Sequence, residues 1–136
     1  MPDAPIRPVR SPESPAPVAG APYSPGVVAP VGGLVFVSGQ VGIDMATGAL
    51  AEGGVAAQTT AALAHVDAVL RAAGSGLDRV LKTTVYLTDL AGDFPAMNNA
   101  YGAAFSDHAP ARATVGVARL PLGAVVEVEA IAVAPS

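Results

Sequence analysis

Apolar positions along the chain recur first with the period of strands, then with that of a helix, and later with the strand period again. Val27 to Pro30 and Leu34 to Ser38 are short apolar runs separated by Gly32 and Gly33, and they predict two strands joined by a turn. Asp44-Met45-Ala46-Thr47-Gly48 is turn chemistry. From Val55 to Ala73 the spacing changes. Val55, Thr59, Ala62, Leu63, Val66, Val69, Leu70 and Ala73 fall on one stripe of a helix, with Gln58, Asp67 and Arg71 outside it, and Gly74-Ser75-Gly76 ends the helix. Val80 to Thr88 alternates, with Leu81, Thr83, Val85 and Leu87 on one face and Lys82, Thr84, Tyr86 and Thr88 on the other. Asp93 to Ser106 predicts a second helix that carries Phe94, Met97, Tyr101 and Phe105 on one side. Arg112 to Val117 and Val125 to Val133 are the closing strands, split by Arg119-Leu120-Pro121-Leu122-Gly123.

The resulting order, β-β-α-β-α-β-β, predicts an α+β domain with two helices on one face of one sheet. In the last strand Val126, Val128, Ala130, Ala132 and Ala134 share a uniformly apolar face, which belongs under the helices. Val125, Glu127, Glu129, Ile131 and Val133 face the other way. That second face is too apolar to sit comfortably in water, so burial against copies of the same chain is expected, in a closed oligomer. Residues 1-20 are proline-rich with balanced charge and predict a flexible N-terminal tail, leaving 21-136 as the domain.

Composition narrows the function. The 136 residues are one domain by size. A net charge of -4, with Lys82 the sole lysine, argues against nucleic acid, because binding a phosphate backbone needs clustered cations. No stretch reaches the ~18 consecutive apolar residues of a membrane span, and the N-terminus lacks the apolar core of a secretory signal. The cytoplasm is the expected location. The absence of cysteine excludes disulfides and thiolate chemistry. His65 and His108 lack metal-ligand spacing, so no metal is expected, and no glycine-rich nucleotide loop occurs.

The chain is 51% hydrophobic and only 13% charged, so an ion inside an apolar strand carries a cost unless it is paired or used. Arg112, in Pro110-Ala111-Arg112-Ala113-Thr114, and Glu127, in Val126-Glu127-Val128-Glu129, are such ions. A guanidinium grips a carboxylate through two parallel hydrogen bonds, and a glutamate nearby can move a proton. The residues alone also admit plainer roles: a surface ion pair for Arg112, and anti-aggregation charges on an edge strand for Glu127 and Glu129. Tyr23 suits a pocket wall or a cap on the sheet, and Gly39, in Ser38-Gly39-Gln40, could let backbone approach a ligand closely.

Several segments taken in order resemble the RidA (YjgF) family of enamine/imine deaminases. They are Pro22-Tyr23-Ser24, Leu34 to Gln40, Asp44 with Thr47-Gly48, Val80 to Asp89, Met97-Asn98 with Tyr101, Pro110-Ala111-Arg112, Ala118-Arg119-Leu120-Pro121 and Val126 to Ala132. The resemblance covers roughly residues 21-134. It implies a chorismate-mutase-like homotrimer in which a mixed sheet from each copy contributes to an inner β-barrel, with clefts between subunits. It also implies hydrolysis of 2-aminoacrylate-type intermediates to 2-oxo acids and ammonia without a cofactor. By the resemblance, Arg112 binds the carboxylate of the small substrate, Glu127 activates water, and Thr114 contacts substrate through its backbone. Tyr23, Ser38, Gly39 and Asn98 line the cleft. Ala21 stands where glycine is usual, and Gly116 where a larger residue is usual. A same-fold hydrolase with another substrate and a non-catalytic trimer that binds 2-oxo acids or a protein partner are the alternatives. Ribonuclease activity, attributed to some relatives, is not expected of so acidic a chain.

Overall fold

The computed structural model describes residues 7–17, 19, 23–29 and 33–134. Six strands and two helices follow one another: β1 (Arg7–Val9), β2 (Gly26–Val28), β3 (Leu34–Val41), α1 (Gly54–Ala72), β4 (Val80–Leu87), α2 (Leu90–Ala104), β5 (Ala111–Gly116) and β6 (Val126–Val133). The strands form one mixed sheet in the order β1-β2-β3-β6-β4-β5. All pairings are antiparallel except β4 with β5. Parallel neighbours need a crossover, and α2 supplies it.

The α+β order expected from the sequence holds, with one strand added in front. Arg7–Val9 pairs with β2, and Val9 is 2% exposed. The flexible tail expected over residues 1-20 is therefore corrected for its described part. Proline at an edge strand costs no ladder bond, so Pro8 does not prevent pairing. Glu13 then ties the segment to α1 through Arg71 at 2.9 Å. Ala21, Pro22, Pro30 and Gly32 lie outside the described residues.

The helices pack on one sheet face, α1 against β3 and β6 and α2 beside α1 and over β4. The core between them contains Val35, Val66, Leu70, Val85, Met97, Val126, Val128 and Ala132. α1 ends in a Schellman arrangement. Ser75 N–H donates to the Leu70 carbonyl at 2.8 Å and Gly74, at φ 79, donates to Arg71 at 3.0 Å. Asp89 caps α2 by accepting from Gly92 N–H. No helix among the described residues is long and apolar enough to cross a membrane.

Three side chains depart from the expected pattern. Leu81 is 48% exposed because the β4–β6 register slips between Val80 and Lys82, so that Val80 and Thr83 both turn inward. Gln58 is buried rather than outside the α1 stripe, and its Oε1 accepts from Val125 N–H at 3.0 Å. Phe94 is 36% exposed, at the margin of α2 rather than in the core.

Replacing Val9 tests the added strand. Val9→Ala should lower unfolding free energy by roughly 1–2 kcal/mol in urea titration, the range for truncating a buried aliphatic side chain. An unchanged midpoint would mean that β1 contributes nothing to the core.

Candidate active site

β6 alternates buried and half-buried along its whole length. Val126, Val128, Ala130 and Ala132 enter the core, which leaves Glu127 and Glu129 on the face that the helices do not cover. On the neighbouring strand β3 the register slips between Val37 and Gln40, spending one extra residue at Ser38-Gly39. The bulge has two effects. It reverses the phase of the strand, so Gln40 turns into the core, and it leaves Gly39 against Glu127. A Cβ at Gly39 would overlap the Glu127 carboxylate, so the glycine is what allows this approach.

Glu127, Glu129, Tyr23, Ser38 and Gly39 line one cleft of about 580 Å³, together with Gln40, Val41, Ile43, Pro121, Leu122 and the N-terminal Pro15 and Ala16. Ser38 Oγ donates to the Ser24 carbonyl at 2.5 Å, and Ser38 N–H donates to Pro25 at 2.8 Å, which holds the strand carrying Ser38 to the segment carrying Tyr23. Tyr86, on β4, donates its hydroxyl to Glu129 Oε1 at 2.6 Å, and this bond is the main cause that raises the phenol's pKa. Burial, and then the like charge of Glu129, push the Glu127 carboxyl above the ordinary value of 4.5. A half-buried carboxylate with a raised pKa is a better proton acceptor once ionised than an ordinary surface carboxylate.

Arg112 stands elsewhere. It pairs in register with Thr83, whose hydroxyl bonds Tyr101 of α2 at 2.7 Å on the helix side. Its guanidinium carbon lies 4.7 Å from the Tyr101 ring centroid and 5.7 Å from that of Phe94. Among the described residues no carboxylate lies within ion-pair distance of it. The in-plane N–H groups of a stacked guanidinium remain free to bind an anion. Thr114 follows on the same strand, its buried Oγ1 without a hydrogen-bond partner among the described residues. β5 is the sheet edge, so its outer backbone groups have no neighbouring strand. Asn98 is exposed on α2 and does not line the Glu127 cleft.

One chain therefore holds a cleft with Glu127, Tyr23, Ser38 and Gly39 and, apart from it, a sheet edge with Arg112 and Thr114. Within a single copy Arg112 and Glu127 stand apart. β4 lies between their strands, and they project from opposite faces of the sheet. Tyr86 was passed over in the sequence, although its parity with Lys82 and Thr84 already placed it on the open face. No group of three or more His, Cys, Asp or Glu residues that could hold a metal occurs among the described residues. His65 and His108 instead donate from Nε2 to the carbonyls of Ile43 and Val80, each at 2.6 Å.

A family described as Endoribonuclease L-PSP matches residues 13–134. The RutC family protein UK114 of Drosophila melanogaster is 47% identical, over 85% of this chain and 82% of its own length. The 2-iminobutanoate/2-iminopropanoate deaminase of Capra hircus is 45% identical, over 87% of this chain and 84% of its own length. The crystal structure of E. coli TdcF with bound serine superposes with a TM-score of 0.85 at 36% identity, over 95% of this chain and 99% of that one. By its sequence and its fold the chain belongs to the Endoribonuclease L-PSP family, the group of the YjgF, RidA and RutC proteins.

Proposed function

We propose that the protein hydrolyses 2-imino acids, formed by tautomerisation of 2-aminoacrylate-type enamines, to 2-oxo acids and ammonia. It acts as a homotrimer in which the Glu127 cleft of one copy is completed by Arg112 of a second. The observation that carries this reading is Glu127 itself, a half-buried carboxyl with a raised pKa in a cleft where the Ser38-Gly39 bulge clears space around it. The relatives named as imine deaminases support the same chemistry.

Two further features support joining the half-sites across copies. The uncovered sheet face exposes Phe36, paired with Ile131, and the edge strand β5 exposes Val115. Such apolar surface favours a partner. The stacked Arg112, with no carboxylate in reach among the described residues, suits a substrate carboxylate presented at the junction.

In the reaction Arg112 fixes the substrate carboxylate through paired N–H donors. Glu127 accepts a proton from water as the water oxygen bonds to the imine carbon and the C=N electron pair moves to nitrogen. Glu127 then returns the proton to that nitrogen, giving a carbinolamine. Glu127 next takes the adduct's hydroxyl proton and passes it to the nitrogen as the C–N bond breaks, so that the C=O bond forms and ammonia leaves with the 2-oxo acid behind. Thr114 contributes backbone groups at the open edge of β5, while Tyr23, Ser38 and Gly39 form the wall that excludes bulk water. Asn98 lines the junction from the copy that supplies Arg112. Fixing water and imine together adds the advantage of proximity. The reaction consumes no cofactor, the substrate is a small carboxylate, and the protein works in the cytoplasm.

Imines generated in situ by an amino acid oxidase allow 2-oxo acid release to be followed directly. Arg112→Ala should reduce kcat/KM on the order of 10²- to 10³-fold, with Arg112→Lys intermediate because a point charge replaces a fork. Glu127→Gln should reduce kcat on the order of 10²- to 10⁴-fold while leaving 2-oxo acid binding nearly unchanged. Wild-type protein that binds 2-oxo acids without accelerating hydrolysis would replace the enzyme with a binding protein.

The pH profile carries its own sign. Glu127 accepts a proton only when ionised, and burial raises its pKa, so the rate should rise with pH along a limb centred above 4.5. Glu129→Gln removes the like charge and should move that limb to lower pH. A limb at or below 4.5 in the wild type would exclude Glu127 as the base.

A further inference from the structure

Leu122 has the one positive φ among the described residues other than glycine, at φ 61 and ψ 15 in the 3-10 turn Pro121–Gly123. L side chains rarely adopt that conformation, and when a structure holds one there the position is commonly a functional one. Leu122 is also 67% exposed, and it lines the same cleft as Glu127 and Glu129. A glycine at this position would relieve the backbone and remove the exposed apolar surface, yet the chain carries leucine.

The rest of that wall is apolar and held in place. Ile43 is anchored through its carbonyl, which accepts from buried His65 Nε2–H at 2.6 Å, and it bridges to Leu50. Tyr23, 47% exposed, lines the same cleft. The polar end of the cleft is equally fixed, with Tyr86 holding Glu129 next to Glu127. Proton-handling groups therefore face an apolar surface within one cavity of about 580 Å³.

We propose that Leu122, with Ile43 and Tyr23, forms a side-chain pocket that makes the protein prefer 2-imino acids bearing branched aliphatic or aromatic side chains over those bearing a methyl or ethyl group. The inference rests on the imine-hydrolase reading and adds the substrate class. Each methylene moved from water into such a pocket is worth roughly fourfold in specificity. The leucine-derived imine should therefore exceed the alanine-derived imine in kcat/KM by about tenfold or more.

The test compares imines made by an amino acid oxidase from L-leucine and L-alanine, using wild type, Leu122→Gly and Leu122→Met. Leu122→Gly suits the positive φ, so it should fold as well as wild type by thermal melting. It should keep the same assembly in sedimentation, yet lower the leucine-to-alanine ratio at least about fourfold. Leu122→Met should keep the ratio. A wild-type ratio near one, a ratio unaltered in Leu122→Gly, or dissociation of that variant's assembly would each overturn the proposal, the last by making Leu122 an interface residue. If no imine is hydrolysed, the hydrolase reading fails on its own, and calorimetric titration decides the pocket. Tighter binding of 4-methyl-2-oxopentanoate than of pyruvate by wild type but not by Leu122→Gly would uphold it, and equal or absent binding would overturn it.

Discussion

The alternation of β6 is the constraint on which the remaining structure depends. The strand lies between β3 and β4 at the centre of the sheet, and its even-numbered residues enter the core beneath α1. With a period of two, every apolar residue placed in the core commits its neighbour to the opposite face. Two carboxylates consequently stand on the one face that no helix covers, where burial by the surrounding strands is partial. That partial burial raises the pKa of Glu127 without requiring a buried counter-ion.

Against this regular strand, irregularity in its neighbours does the shaping. The slip in β3 at Ser38-Gly39 turns two consecutive residues toward the carboxylates and sends Gln40 inward. The slip in β4 near Leu81 restores Thr83 to the helix side, where it bonds Tyr101 and so sets the ring on which Arg112 lies. One bulge thus serves the cleft, and the other serves the arginine edge on the far side of the sheet.

Much of this was legible in the residues. The α1 stripe, the uniform inner face of β6 and the turn at Asp44–Gly48 follow from periodicity and turn chemistry that the surroundings do not overrule. Gly39 was legible as a place of close approach because only a missing side chain explains a glycine between strand residues. The bulges were not legible, because the choice of which residue to leave unpaired is made by the whole ladder rather than by local sequence. Gln58 looked like a solvent residue because nothing local announces that the Val125 amide needs an acceptor. That β4 intervenes between β5 and β6 was not legible, because strands consecutive in the chain need not be neighbours in the sheet. The proline-rich opening concealed β1 because composition argues against ordering a segment but does not weigh a single buried valine at a sheet edge.

The chain position of β6 has a consequence for how the protein comes into being. Leu34 pairs with Val133 and Val80 with Ala132, so both halves of the sheet are stitched together by the strand that follows all the other described elements in the chain. Until it emerges, β3 and β4 have no common partner, and their valine-rich inner faces stay open to water and to other chains. Long-range pairing of this kind folds slowly and leaves nascent chains prone to aggregation. Emergence of β6, rather than formation of either helix, is then the event that commits this sheet to its native pairing.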